Sequence, residues 1–591
     1  MRFLTAKIAI LLLVAPGAAP ADDWSTVAEQ TMYQKTSSYQ QTLDYLKRLE
    51  AASPWVRVTT FGKSAQGRDL HCVIVSREGA FAPADAKRTG KVIVLIQNGI
   101  HPGEIDGKDA SLALLRDVAI TKKRVALLDS VILLVIPIFN VDGHENTIRN
   151  TRANQDGPTN AGFRVTAQIL NLNRDYLKAD APEMRAWLRL WRDWLPDFFV
   201  DDHVTDGGDW QYTIHYTMPW HPNAAPTIRA WTTRYFDADV TAAVEKAGFK
   251  IFPYATPRGA DPRRGVITFV DIPRFSTGYT ALWNRPGLLV EMHMLKDYRT
   301  RVLGNYAFLA AVLDNLNRNA SSLKVAIAMA DAQTLAGLNE PYPLTFDSDG
   351  DSVMVDFAGY ATDSAKGVAS GAFHPVFDRH KPVTQHVPYF GTFKAKVSIV
   401  PPRAYFIPRE WTEILARLRL HGIRLDTLTA PFTTKAQMYH LDSAGWAREP
   451  FEGHLAVTYR TTAQDTSITF PAGTVVIDLH QPAAKVAMQA LEPQGPDAFV
   501  AWGLWNAIFE RKEYIEDYVI DPLADSMMAA DGSLRAAFKA RLATDTAFAK
   551  NTTARREYFY ERSRFAEAQI GWYPVARFFG GMPAVDRWEG D

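Results

Sequence analysis

A short segment after an apolar run carries two side chains of types that bind metals. In Gln97-Asn98-Gly99-Ile100-His101-Pro102-Gly103-Glu104, an imidazole and a carboxylate lie three residues apart. The apolar run 91–97 predicts a strand buried on both faces, the glycines predict a tight turn, and helical spacing follows over 107–120. Zinc accepts nitrogen and oxygen ligands of this kind. We predict His101 and Glu104 as ligands, with Glu104 in the first helical turn, although the spacing alone also fits a surface histidine beside a helical glutamate.

A third ligand is expected because a catalytic zinc has three protein ligands and one open position. Residues 196–203 read as another buried strand, which ends at His203 before the turn residues 205–208. In open α/β sheets the ligand crevice lies at the carboxyl ends of the strands. This places His203 near His101 and completes the predicted site for one zinc ion. A hydrogen-bonded structural histidine is the alternative interpretation.

A carboxylate also ends a third apolar stretch, at Glu291 after residues 288–290. An unpaired buried carboxylate costs several kcal/mol, roughly, so its position needs a reason. Acting as general base on metal-activated water is one reason, and a salt bridge to an arginine is the other. His293 is a spare ligand candidate, because it lies two residues further along the same strand face.

Three polar residues are candidates for binding substrate. Asn173 and Arg174 place an amide beside a guanidinium, which binds carboxylates through two parallel hydrogen bonds. Arg152 lies in the polar loop 150–160 and could stabilise an oxyanion, a role for which Arg149 and Arg164 compete. Each arginine alone also fits an exposed, solvated side chain.

Four features in this order resemble the zinc carboxypeptidases of the carboxypeptidase A type. They are His-Pro-Gly-Glu, then Asn-Arg-Asp after an apolar run, then a strand ending in His, then a strand ending in Glu. The turn Asn140-Val141-Asp142-Gly143 is also similar to the family's Asn-Pro-Asp-Gly turn. The resemblance covers about residues 37–319.

The resemblance implies a metallocarboxypeptidase that hydrolyses the C-terminal peptide bond of peptides through metal-activated water, with one zinc ion on the three ligands above. It implies that Asn173 and Arg174 hold the free C-terminal carboxylate of the peptide. It further implies that Arg152 polarises the scissile carbonyl and that Glu291 is the general base.

The sequence departs from this family in two places. Asn171 stands where many members have an aspartate that supports a zinc-binding histidine, so it brings no charge to the metal site. The family often uses a tyrosine on a mobile loop near the substrate's terminus, and Tyr279 is the best candidate. Residues after 319 resemble extensions of larger bacterial relatives.

Predicted strands alternate with predicted helices around these residues. This alternation predicts a mixed, mostly parallel sheet with helices on both faces. The predicted order along the chain is a signal peptide (1–21), a zinc carboxypeptidase-like catalytic domain (22–324), a mainly β accessory region (325–480) and a helical C-terminal region (481–591). In the signal peptide, Arg2 and Lys7 form a short positive region before the apolar run 8–14, and Ala19-Pro20-Ala21 offers small residues for cleavage.

The composition limits the classes of partner and the environments that the sequence suggests. Lys+Arg and Asp+Glu number 65 each, so net charge gives no reason to expect nucleic acid. No later stretch is long and apolar enough to suggest membrane insertion after signal cleavage. The single cysteine, Cys72, sits in an apolar run and reads as a buried strand residue. A secreted or periplasmic location follows from the predicted signal peptide.

Two rival functions remain open at this stage. The same zinc apparatus fits an amidase or deacylase that acts on cell-wall peptides or acylated amino acids. Alternatively, the 15 Trp and 22 Tyr residues fit a non-catalytic binding protein on this scaffold. The sequence determines neither the preferred terminal residue nor the oligomeric state.

Overall fold

The computed structural model describes residues 23–147, 152–259, 262–336 and 340–588. The predicted signal peptide and Arg149 lie outside these ranges. Among the described residues, no helix is both long enough and apolar enough to span a membrane.

Strands of the N-terminal half form the platform for the predicted site. They are β1 (Val56–Lys63), β2 (Asp69–Val75), β3 (Val92–Gln97), β4 (Val131–Ile136), β5 (Phe198–Val204), β6 (Ile214–Thr217), β7 (Ile251–Pro253), β8 (Thr256–Pro257), β9 (Val266–Ile267) and β10 (Gly287–Met292). All except β8 and β9 make an eight-stranded sheet with the order β1-β2-β4-β3-β5-β10-β6-β7. In this sheet β4-β3-β5-β10 pair in parallel, as do β6 and β7, whereas β1-β2-β4 and β10-β6 pair antiparallel. The predicted mixed, mostly parallel sheet is therefore confirmed.

Helices cover both faces of this sheet. They are α1 (Val27–Gln30), α2 (Tyr39–Ala52), α3 (Pro83–Arg88), α4 (Asp106–Ala119), α5 (Val141–Glu145), α6 (Pro182–Trp194), α7 (Pro226–Trp231), α8 (Asp237–Lys246), α9 (Ser276–Leu282) and α10 (Tyr298–Ala336). The central strands are apolar throughout because successive side chains point to opposite faces and both faces are buried. In β3, Val92, Val94 and Ile96 join one core, whereas Ile93 and Leu95 join the other.

The C-terminal half adds strands to one side of this platform. They are β11 (Tyr342–Ser348), β12 (Val353–Lys366), β13 (Phe373–Phe390), β14 (Phe393–Ile399), β15 (Ala404–Ile407), β16 (Asp426–Leu428), β17 (Phe432–Trp446), β18 (Val457–Phe470), β19 (Val475–Asp478), β20 (Ala576–Phe578) and β21 (Val585–Arg587). The helices are α11 (Thr412–Leu420), α12 (Ala484–Leu491), α13 (Asp517–Ala530), α14 (Gly532–Thr544), α15 (Thr546–Lys550) and α16 (Thr552–Tyr560). The β region and the C-terminal helices are thus both present, although β20 and β21 return from the helical segment to a seven-stranded sheet.

The two halves share one hydrophobic core. Trp187 and Trp191 of α6 belong to the same buried cluster as Tyr405 of β15 and Ile477 of β19. Helix α10 also continues past residue 324, the predicted end of the catalytic domain. The boundaries at 324 and 480 stay predictions, but the packing makes the C-terminal half a structural support of the N-terminal half.

Candidate metal centre

The three predicted ligands come from neighbouring parallel strands. His101 lies in the turn after β3, and His203 is the second-last residue of β5, which pairs with β3. Glu104 lies in the same turn as His101, two residues before α4 begins at Asp106, rather than in the first helical turn as predicted. Its N–H donates to the His101 carbonyl at 2.8 Å, which closes this turn. Gly103 allows the close approach of Arg152, because a Cβ there would lie 2.6 Å from the Arg152 Cδ atom.

The side chains of these three residues converge. His101 Nδ1 lies 3.1 Å from Glu104 Oε2, His203 Nδ1 lies 3.0 Å from the same oxygen, and the two Nδ1 atoms are 3.2 Å apart. All three residues are almost fully buried. Ligands of a tetrahedral zinc with bonds of about 2.0–2.1 Å lie about 3.3 Å from each other. The spacing and the chemistry of these donors therefore fit one zinc ion.

Both imidazoles are oriented from their outer side. His101 Nε2 lies 3.0 Å from Asn171 Oδ1, and His203 Nε2 lies 3.0 Å from Asp201 Oδ2. Since each oxygen accepts a hydrogen bond from Nε2–H, both Nδ1 lone pairs face the shared point. Asn171 thus makes the contact expected of the family's aspartate, without its charge.

The electrostatic surroundings favour a positive charge at this point. Burial lowers the pKa of His101 to about 4. Burial acts in the same direction on His203, but Asp201, Glu104 and Glu291 outweigh it and raise the pKa of His203 well above its usual value. The Asp201 and Glu104 carboxylates beside His203 provide negative potential that favours a divalent cation here.

Asp201 was not singled out from the sequence, and it gives a testable prediction. We expect Asp201→Ala to weaken zinc binding by about 10–100-fold, because His203 loses the partner that fixes its ring. Competition with a chromogenic chelator measures this affinity. Asp44→Ala, on the exposed face of α2, is the matched control and should bind zinc like the wild type. Equal affinity of the Asp201 and Asp44 variants would contradict this role.

Glu291 lies beside the three converging side chains, outside the cluster that they form. It is paired in register with His203 on β5, so both side chains project from the same face of the sheet. It is 9% exposed, and its Oε2 atom has no hydrogen-bond partner in the described part of the chain. Burial, reinforced by Glu104 and opposed by His203, raises the pKa of Glu291 to about 8. The salt bridge considered as its alternative role is not seen among the described residues.

A cavity of about 800 Å³ opens over these groups. Its wall includes the three ligands and Glu291, and the remaining polar residues of the wall are Arg152, Asn154, Gln155, Arg164, Asn173, Arg174, Thr205, Asp206, Tyr254, Asp271 and Ser276. Arg152 Nη2 and Arg164 Nη1 both donate to Glu104 Oε1, at 2.8 and 3.0 Å. Both arginines therefore border the metal centre directly.

Arg174 is the cation that this cavity leaves without a carboxylate partner among the described residues. Its Nη1 donates to the Asn173 carbonyl at 2.7 Å, and its guanidinium carbon lies 4.5 Å from the centre of the Phe275 ring. The side-chain oxygen of Asn173 is buried and has no partner among the same residues. A guanidinium with free N–H donors suits a bound carboxylate, whereas the free Asn173 oxygen can only accept a hydrogen bond.

Two other predicted residues lie away from the cavity. Tyr279 is fully buried in the core, where its hydroxyl group lies 2.9 Å from His421 Nδ1, which corrects its assignment to substrate binding. Helix α9 turns this side chain inward to pack on Trp187. The spare candidate His293 is fully buried and accepts a hydrogen bond from the Trp210 N–H, outside the ligand cluster. Tyr254, which no motif marked, supplies the phenol of the cavity wall and donates to Asp206.

Known proteins resemble this chain over these elements. Residues 42–203 match the model of the zinc carboxypeptidase family, a range that includes all three ligands, Arg152, Asn173 and Arg174. Carboxypeptidase 2 from Trichophyton rubrum is 24% identical over 483 residues, which are 78% of this chain and 82% of that protein. A probable carboxypeptidase 2 from Arthroderma benhamiae is 23% identical over 466 residues, 77% of this chain and 83% of that protein. A metallo-carboxypeptidase structure from Burkholderia cenocepacia is 17% identical, with a TM-score of 0.36, and covers 48% of this chain and 70% of its own.

Proposed function

We propose that this chain belongs to the zinc carboxypeptidase family, whose model matches residues 42–203, and that it removes the C-terminal residue of peptides with one bound zinc ion. The observation that carries this proposal is the convergence of His101, Glu104 and His203 in a cavity that also holds a guanidinium without a carboxylate partner among the described residues. The family acts on peptide substrates. The role of each single residue in this reaction is part of the proposal.

Zinc would be held by the two Nδ1 atoms and the Glu104 carboxylate. When bound there, it supplies Lewis acidity, which polarises a carbonyl group and lowers the pKa of water. His101 and His203 are held ready for it by their hydrogen bonds to Asn171 and Asp201. The protein therefore presents preoriented donors, and little rearrangement is needed for the ion to bind.

Glu291 moves the proton in this scheme. Its carboxylate takes a proton from the attacking water and later gives it to the leaving amine. Burial and the absence of a fixed partner for Oε2 among the described residues support this role, because the group is free to accept a proton and its pKa is raised. Arg152 stabilises the negative charge that develops on the carbonyl oxygen, and Arg164 stands beside it.

Asn173 and Arg174 set which bond is cut. They bind the terminal carboxylate of the peptide, so that the last peptide bond lies at the metal centre. A substrate whose carboxylate is replaced by a carboxamide loses this charge-assisted contact. The chain should therefore act as an exopeptidase and release one residue at a time.

The experiment compares one peptide series with free C-terminal acids and with C-terminal amides. We expect chelator-sensitive release of the last residue from the acids and little from the amides. Arg174→Ala should raise KM for the acids by roughly 10–100-fold, the range for a lost hydrogen bond to a charged group. Arg192→Ala, on the exposed side of α6, is the control. Hydrolysis of muropeptides or acylated amino acids in preference to these peptides would favour the amidase or deacylase alternative.

We also propose that the protein is exported, to the periplasm or out of the cell. The support is the N-terminal sequence, in which Arg2 and Lys7 precede the short apolar run 8–14. N-terminal sequencing of the mature protein should begin at Asp22. A mature protein that begins at Met1 would contradict export by a cleaved signal.

A further inference from the structure

A tight turn of the C-terminal half contacts the loop that carries the substrate-binding residues. The turn lies in the segment between β17 and β18, where Phe451 and His454 exchange backbone hydrogen bonds of 2.8 and 3.1 Å. The two central residues, Glu452 and Gly453, have φ values of +51° and +80°. Two-residue turns of this kind favour Asn-Gly, because Asn and Gly tolerate positive φ better than a longer side chain does. A glutamate therefore occupies a strained position where the local backbone favours another residue.

The Glu452 side chain reaches across to the site. Its Oε2 atom accepts a hydrogen bond from the Asn171 backbone N–H at 2.8 Å, between residues 281 positions apart in the chain. Beside it, His454 Nε2 lies 2.7 Å from Asp180 Oδ2, and a Cβ on Gly453 would lie 3.5 Å from Leu170. The turn thus docks along the loop that leads through Asn173 and Arg174.

Asn171 links the contact with Glu452 both to the metal-binding His101 and to the residues that would bind the substrate carboxylate. Its Oδ1 atom lies 3.0 Å from His101 Nε2 and accepts a hydrogen bond of 3.0 Å from the Asn173 N–H. One side chain thus orients a metal ligand and fixes the backbone of the residue beside Arg174. Holding the backbone of Asn171 in place therefore positions both parts at once.

We propose that Glu452 is a positioning residue for the peptidase site: by holding the Asn171 N–H, it sets the carboxylate-binding turn and the orientation of His101. This inference rests on the proposed function. The glutamate side chain is long enough for its carboxylate to accept a hydrogen bond from the Asn171 N–H. The shorter Asn or Asp preferred in such turns does not extend that far. The strain at its backbone is consistent with selection for the side chain rather than for the turn.

The discriminating variant is Glu452→Asn. Asn-Gly suits the turn better, so the melting temperature should stay equal or rise, whereas the side chain is one methylene shorter and cannot reach the Asn171 N–H. We expect KM for a peptide with a free C-terminal acid to rise about tenfold, the scale of a lost hydrogen bond to a charged group. Zinc affinity, measured by chelator competition, should fall by about threefold, less than for a direct outer partner of a ligand.

Two further variants separate the acceptor from its charge. Glu452→Gln keeps an acceptor at the same reach, and its loss of negative charge near Arg174 should leave KM within about twofold of the wild type. Glu449→Ala, an exposed glutamate three residues earlier, is the matched control and should change nothing. All measurements use the zinc-loaded full chain.

These measurements distinguish failure of the positioning role of Glu452 from failure of the proposed peptidase function. A wild-type chain without chelator-sensitive carboxypeptidase activity would overturn the proposed function, and the zinc affinities of the variants would still test the link to His101. An active wild type whose Glu452→Asn variant keeps its KM and zinc affinity would overturn the positioning role alone. Equal defects in the Asn and Gln variants would also overturn it, because the acceptor would then not matter.

Discussion

Glu291→Gln is expected to lower kcat by about 10²–10⁴-fold while the protein keeps its zinc. Glutamine has nearly the same shape as glutamate but cannot accept the proton of the attacking water. The residue lies outside the ligand cluster, in register with His203, so the three metal donors stay in place. Steady-state kinetics on a peptide acid, together with metal analysis of the same preparation, measure both quantities.

The pH dependence gives this prediction a second readout. Glu291 acts in its deprotonated form, so kcat/KM should fall as the pH drops through the pKa of this carboxyl. Burial raises that pKa, and a nearby divalent cation lowers it again, so the acid limb reports the balance of the two effects. In Glu291→Gln the limb should be missing from the residual activity. Glu410→Gln, at an exposed site, is the control, and unchanged turnover in Glu291→Gln would remove Glu291 from the mechanism.

His203→Ala is expected to abolish both zinc binding and hydrolysis. Removing one of three ligands leaves two donors, so the loss of affinity should exceed the roughly 100-fold effect of an outer-shell substitution. It also leaves Glu104 and Asp201 without the imidazole that lies 3.0 Å from each of them. Metal content after dialysis and activity with added zinc measure the two effects.

A surface histidine serves as the control for this variant. His380→Ala changes an exposed side chain of β13 and should keep one zinc per chain and full activity. A circular dichroism spectrum like that of the wild type would show that His203→Ala is folded. Stoichiometric zinc in a folded His203→Ala protein would contradict the predicted ligand set.

The strands of the central sheet could be predicted because their signal is local. Residues 91–97 are apolar at every position, and the structure has β3 there with alternate side chains in two cores. Polar residues at the ends of such strands, or in the turns beyond them, could be assigned to one edge of the sheet, which brought His101 and His203 together. The helical spacing over 107–120 also agrees with α4, whereas Glu104 lies two residues before this helix and not in its first turn.

The residues that support the site from outside had weaker signals in the sequence. Asp201 lies two residues before His203, on the same face of β5, so strand periodicity would have marked it. Tyr254 follows the short strand β7 and has no motif. Glu452 contacts Asn171 across 281 residues, and such a contact depends on packing between distant segments, which no local pattern encodes. Tyr279 was assigned from its neighbours in sequence, whereas its direction is set by the packing of α9.

The most direct test of the metal centre is a crystal structure of the zinc-loaded protein with anomalous diffraction at the zinc absorption edge. We expect one strong peak about 2 Å from the Nδ1 atoms of His101 and His203 and from the Glu104 carboxylate. The Nε2 atoms should stay directed at Asn171 and Asp201. A peak at another position, or an imidazole of His203 turned away from the other two donors, would contradict the account.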